Sequence, residues 1–234
     1  MLHRSFVAVV TAVVIGVAYP PAAAAQGTPT TPAAPARARA ASGQSRGWHL
    51  GGFATVGNLT FTAQDSFDAI LGTHAGPVYG GGVRVGLPWG GLFAEVSASR
   101  FRDTGGRVFV FNGTPIPLGI STTVTVTPVD ASVGWQFRLR RMPRVTPYVA
   151  GGYTSLRYEE TSAFATGSEN VKQNNGGYHL FGGVEYKVAR WLGAAGEVAW
   201  ATVPKALGAD GVSKSFREDN LGGTTVRLKI TIGR

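Results

Sequence analysis

The chain contains no cysteine, and only 15% of its residues are charged. Without thiols there is no disulfide framework, no thiolate metal site and no cysteine nucleophile. Charged residues make up about 25% of an ordinary soluble domain, so this surface is short of the groups that keep a protein in water. Long apolar runs are also missing. The one near-continuous run, Ser5 to Ala18 (SFVAVVTAVVIGVA), falls short of the about 20 residues a spanning helix needs. There is no HExxH, no P-loop, no EF-hand spacing and no G-x-S-x-G elbow. No catalytic, cofactor-binding or metal-ligating constellation is therefore expected.

What the chain does contain is glycine, 34 residues of 234, about twice the usual share of roughly 7%. That composition disfavours helices. The N-terminal run is preceded by His3 and Arg4 and followed by Pro20, Pro21 and Ala22 to Ala25. This order of basic, apolar and small residues reads as a secretory signal peptide over 1–25, cleaved near Ala25. Residues 26–46 are rich in Pro, Ala and Thr and carry Arg37, Arg39 and Arg46 but no large apolar side chain. Such a segment cannot bury enough surface to offset its ordering entropy, so a disordered leader is expected there.

From Gly47 the hydrophobic period is two. Val129 to Leu139 is the clearest window: Val129, Ala131, Val133, Trp135, Phe137 and Leu139 alternate with Asp130, Ser132, Gly134, Gln136 and Arg138. Similar windows run over 48–56, 78–87, 92–98, 148–158, 178–188, 192–202 and 224–232. Side chains alternate sides along a strand, so eight strands of about 9–11 residues are predicted, the length of a tilted membrane strand. Short links at 88–91, 140–144 and 189–191 alternate with long polar ones near 62–76, 102–120, 160–175 and 204–221. That asymmetry describes a transmembrane barrel. A soluble lipocalin-like binding barrel shares the alternation, with the apolar face turned inward. Loop asymmetry, a polar face suited to a packed lumen, and aromatics at strand ends favour lipid outside. The interfacial aromatics are taken as Trp48, Tyr79, Trp89, Trp135, Tyr148 and Tyr186.

The exported chain, the eight alternating strands, the GG-rich strands such as YGGGVRV (79–85) and FGGVEYKV (181–188), and the terminal GGTTVRLKITIGR resemble the small OmpA-like and OmpX-like outer-membrane barrel domains. The resemblance covers residues 47–234. It implies an all-β, eight-stranded antiparallel up-and-down transmembrane barrel in the outer membrane, preceded by the signal peptide and leader. Lipid, lipopolysaccharide and the barrel-assembly machinery are its implied partners, with no cofactor. The family's last strand commonly ends in an aromatic residue that the assembly machinery recognises, whereas this one ends in Arg234. No periplasmic peptidoglycan-binding domain is expected after it.

The predicted lumen face collects Arg84, Glu95, Asp130, Arg138, Arg157, Glu185, Lys187, Glu197, Arg227 and Lys229. An eight-stranded interior is just wide enough for side chains to fill, so these groups are expected to plug it with ion pairs. A structural or surface-interaction role follows. The alternatives are a narrow channel or small-solute conduit and, further off, a lipid A acylhydrolase or acyltransferase. Catalysis of that kind needs a Ser near a His, and no Ser lies within two residues of His179; His49 and His74 are the other candidates. Long loops with apolar residues, Val108 to Phe111 and Ile116, leave room for an extracellular protein ligand. Val124 and Val126 share parity with Asp130 across Pro128, which predicts a bulge or break there. The basic excess does not require nucleic acid. Four of the 22 basic residues precede Gly47, leaving 18 against 13 acids, a surplus that anionic lipid accounts for.

Overall fold

The computed structural model describes residues 48–111, 114–162, 171–207 and 211–233. The expectations for the signal peptide, the leader and Arg234 lie outside these residues. Eight strands follow in order: β1 (His49–Phe61), β2 (Ala75–Gly86), β3 (Leu92–Phe111), β4 (Thr114–Gln136), β5 (Val145–Ser162), β6 (Val171–Lys187), β7 (Leu192–Thr202) and β8 (Gly223–Gly233). Each pairs antiparallel with its sequence neighbours, and β1 pairs with β8 through Gly51↔Gly233 to Phe61↔Gly223, so the sheet closes on itself. Closure leaves no unpaired edge, the condition for a sheet to sit in hydrocarbon. No helix among the described residues is long and apolar enough to cross a membrane.

The outer face is apolar: Val56, Val83, Val96, Val133, Leu180, Val198, Leu228 and Ile230 are all exposed. Trp48, Trp89, Trp135, Tyr186 and Trp191 stand exposed toward the short-turn end, and Tyr79, Tyr153, Tyr178 and Trp200 toward the long-loop end. Two aromatic girdles bounding an apolar belt are what a bilayer with two interfaces selects. The lipocalin-like arrangement is thereby overturned, since the outside is apolar and buried charges fill the half of the inside nearer the short turns.

The short turns need little chain. The β2–β3 turn, Leu87 to Gly91, is closed by Gly90 and Gly91 at φ 70° and 139°, backbone conformations that side chains disfavour. The long links are more structured than their polarity predicts. Residues 62–74 contain a helix, α1 (Gln64–Leu71), ended by Gly72 in the left-handed conformation. A second helix, α2 (Gly211–Phe216), lies before β8. The expected 102–120 loop is instead the outer part of a long hairpin: β3 and β4 pair out to Phe111↔Thr114, with one register shift between Gly106 and Val108.

No shift occurs at Pro128. The β3–β4 register is the same on both sides of it, from Ala98↔Val129 to Phe101↔Val126. Proline cannot donate to the ladder, and the pairing simply skips Ser99 and Arg100. The parity mismatch has another cause. Val124 and Val126 point inward with Asp130, because the lumen becomes apolar toward the long-loop end.

An unheated sample of the full chain in SDS is expected to migrate faster than a boiled one. Co-migration of the two would show that the strands do not close into a detergent-resistant ring.

Candidate functional site

The lumen is layered. In the layer nearer the short turns, Lys229 on β8 lies between two carboxylates, Glu95 on β3 and Glu197 on β7, each 2.9 Å from its Nζ. Arg84 on β2 donates to Glu95 at 2.7 Å through Nε and approaches Glu185 on β6 at 3.5 Å. Arg227 pairs with Glu197 through Nε and Nη2, and the Tyr148 hydroxyl donates to the same carboxylate at 2.8 Å. One connected network thus joins β2, β3, β5, β6, β7 and β8. Lys229 is 0% exposed and Glu95 2%, so these charges are removed from bulk water and depend on one another for solvation.

Rings fill the gaps between the charges. The Arg84 guanidinium lies 4.4 Å from the Phe93 ring centre and 4.6 Å from that of Tyr148, and Lys229 Nζ lies 4.2 Å from Phe53. Cations over ring faces gain from the ring quadrupole. These rings fit because the neighbouring strand is bare beneath them. A Cβ on Gly82 would sit 2.6 Å from Phe53. The glycine-rich windows of β2 and β6 therefore give the rings room in a narrow barrel.

A second layer holds a hydrogen-bonded chain. Ser132 Oγ lies 2.7 Å from His179 Nε2, and His179 Nδ1 lies 2.8 Å from Thr154 Oγ1. Thr154 in turn donates to Asp130 Oδ1 at 2.8 Å. Sequence spacing does not reveal this grouping, because Ser132 and His179 meet across β5, where Gly152 faces both strands. Ser132 is buried and faces the lumen, whereas a lipid-modifying centre would be presented to the lipid interface.

The third layer is an apolar cap. Phe61, Phe101, Val124, Val126, Leu156 and Leu221 pack with Phe67 of α1, whose ring stacks on Phe61 at 3.9 Å. The first turn of α1 has no capping side chain of its own. The Glu218 carboxylate fills that role, accepting from Ser66 N at 2.8 Å and Ser66 Oγ at 2.5 Å, an anion where the helix dipole favours one. Beyond the girdle, Tyr158 donates to Glu160 at 3.1 Å.

Of the ten charged positions read from the sequence, Arg84, Glu95, Asp130, Glu185, Glu197, Arg227 and Lys229 line the lumen. Three do not. Arg138 lies past the end of β4 and is exposed, and Lys187 is exposed at the last residue of β6. Arg157 points outward and pairs with Glu159 at 2.5 Å. Tyr148 is also corrected, being buried in the lumen rather than interfacial. Arg157 and Tyr148 share one cause. Both faces of β5 carry large side chains (Tyr148, Leu156 and Tyr158 on one, Val149 and Tyr153 on the other), so alternation alone does not say which face points in. Trp48, Tyr79, Trp89, Trp135 and Tyr186 are exposed on the outer surface.

Removing one partner from a buried ionic cluster leaves the others uncompensated, at about 3–5 kcal/mol. Glu95→Ala is expected to destabilise the barrel by that order in reversible urea unfolding from lipid vesicles. A loss below about 1 kcal/mol would mean that water enters and solvates Arg84 and Lys229.

Known proteins place this architecture. The family model described as outer membrane protein beta-barrel domain matches residues 10–200. A major outer membrane protein from Thermus thermophilus has the same fold, with a TM-score of 0.51 at 11% identity over 80% of this chain and 99% of that one. Neisserial surface protein A gives 0.49 at 12% identity, over 79% and 96% of the two chains. The attachment invasion locus protein Ail of Yersinia pestis gives 0.45 at 11%, over 80% and 99%. No curated protein sequence matches the chain. At 11% identity the Thermus structure speaks to the fold alone, and the family rests on the family-model match over most of the chain. The chain belongs to the outer membrane protein beta-barrel domain family and is located in the outer membrane.

Proposed function

We propose that this outer-membrane barrel has a structural and surface-interaction role, with its lumen closed to ions by the buried charge network. The observation that carries this reading is the Glu95–Lys229–Glu197 bridge, which reaches across the lumen between β3 and β7. An ion entering here meets paired charges in a space that rings already occupy. The alternative, a narrow conduit, requires these pairs to separate, at a cost of several kcal/mol. The apolar cap beneath α1 stands as a second barrier in series.

The surface role rests on the β3–β4 hairpin. Pairing with β2 ends at Val78↔Phe101 and pairing with β5 at Thr122↔Ser162, so among the described residues the outer part is a two-stranded ribbon, with α1 packed against its base at Gly105. Phe109 and Ile116 are directly opposite each other on it, and both are exposed, as are Phe111 and Leu118. Contiguous exposed apolar side chains mark an interaction surface, and the ribbon beyond Gly105 suits strand addition by a protein partner. The outer belt meets lipid and lipopolysaccharide, and assembly runs through the barrel-assembly machinery. A non-catalytic role is supported by the burial of Ser132 and His179, the pair closest to a nucleophile and base.

Two measurements test this reading. Planar bilayers containing the full chain are expected to show no steady conductance; steady open levels that vanish on stabilising the lumen would favour the conduit. Deleting residues 107–118 is expected to abolish binding to target cells while the heat-dependent gel shift persists. Undiminished binding by the deleted chain would move the interaction off the ribbon.

A further inference from the structure

Between the ion-paired layer and the apolar cap the lumen is not filled. A cavity of about 70 Å³ lies there, several times the about 10–15 Å³ that one water needs. Phe61, Phe101, Val126, Leu156 and Leu221 line it toward the long-loop end, and Asp130, Thr154, His179 and Arg227 toward the short turns. It is an apolar chamber with a polar floor.

The described lumen charges do not balance. Among the described lumen groups three cations, Arg84, Arg227 and Lys229, face four carboxylates, Glu95, Asp130, Glu185 and Glu197. The three glutamates share the three cations. Asp130 is the carboxylate left over. Its ion-pair neighbour among the described residues is His179, at 3.7 Å, and Thr154 stands between them. Because the Thr154 hydroxyl donates to Asp130, its oxygen accepts from His179 Nδ1, and His179 Nε2 pairs with the Ser132 hydroxyl. Among the described residues Asp130 thus accepts one side-chain hydrogen bond, from Thr154, and no lysine or arginine forms an ion pair with it. Arg227 also reaches the cavity, but Glu197 holds its guanidinium.

We propose that the cavity is a binding site for a small protonated amine with an apolar body, with its ammonium on Asp130 and its body among Phe61, Phe101, Val126 and Leu156. A carboxylate and an ammonium form the stronger, charge-assisted type of hydrogen bond. The Phe101 and Phe181 rings that line the same space add attraction for a cation. A carboxylate of equal size meets repulsion at the same floor. The site is independent of whether the lumen conducts or the ribbon binds a partner.

The test uses the full chain folded in lipid nanodiscs, with n-hexylamine, n-hexanol and hexanoate as probes at neutral pH. Binding is read by calorimetry and by the His179 imidazole resonances. Hexylamine is expected to bind at least about tenfold more tightly than hexanol, and hexanoate not to bind. Asp130→Asn is expected to bring hexylamine down to the level of hexanol. Val126→Trp, which fills the chamber and leaves Asp130 in place, is expected to abolish both while the gel shift persists. Three results would overturn the proposal: hexanol binding as well as hexylamine in the unaltered chain, hexylamine binding unchanged in Asp130→Asn, or binding retained in Val126→Trp. Should Asp130→Asn fail to close, the probe ranking and Val126→Trp still decide the matter.

Discussion

A ring of eight strands encloses a space only about as wide as the side chains that point into it. That width governs the rest of this molecule. Large inward groups must interlock, and a large group on one strand needs a small one beside it on the next. The chain meets this by setting rings opposite glycines, as Phe53 over Gly82. It meets the polarity of the inside by supplying each buried cation with a carboxylate on another strand. Lys229, which reaches both Glu95 and Glu197, ties strands that share no backbone hydrogen bond. The sheet's register and the charge network therefore enforce each other. A slip of one residue on β8 would turn Lys229 outward into lipid and Leu228 inward among carboxylates.

The same constraint explains the change in lumen character along the axis. Near the short turns the interior is ionic and aromatic. Near the long loops it is apolar and continuous with α1. An interior that was ionic throughout would need matched partners at every level, each set bearing its own desolvation cost. The apolar upper half avoids that cost and is closed by a short helix whose Phe67 completes the packing. The chamber lies where the two kinds of filling meet, at the boundary between groups that pair and groups that only pack.

Alternation makes the architecture legible in the residues. It locates all eight strands and the short turns, because a barrel in lipid needs one face of each strand apolar. It is silent wherever that need lapses. Past the girdle both faces of a strand meet water or a cap, so the β3–β4 ribbon resembles a loop, and the inward Val124 and Val126 resemble a bulge. In β5 large side chains occur on both faces, which is why alternation misassigns the sides of Tyr148 and Arg157. The Ser132–His179–Thr154–Asp130 chain leaves no trace in spacing, since its members come from three strands. The helices are hidden in polar composition, and the carboxylate that caps α1 lies 152 positions from Ser66.

That last contact orders events in time. Ser66 belongs to the first long loop, and Glu218 is among the last residues before β8. The N-terminal turn of α1 thus stays without its anion until residue 218 has been delivered. The cap over the lumen is fastened by the residues just before the strand that closes the ring, so a barrel cut short of Glu218 would lack both its seam and the clasp on its lid.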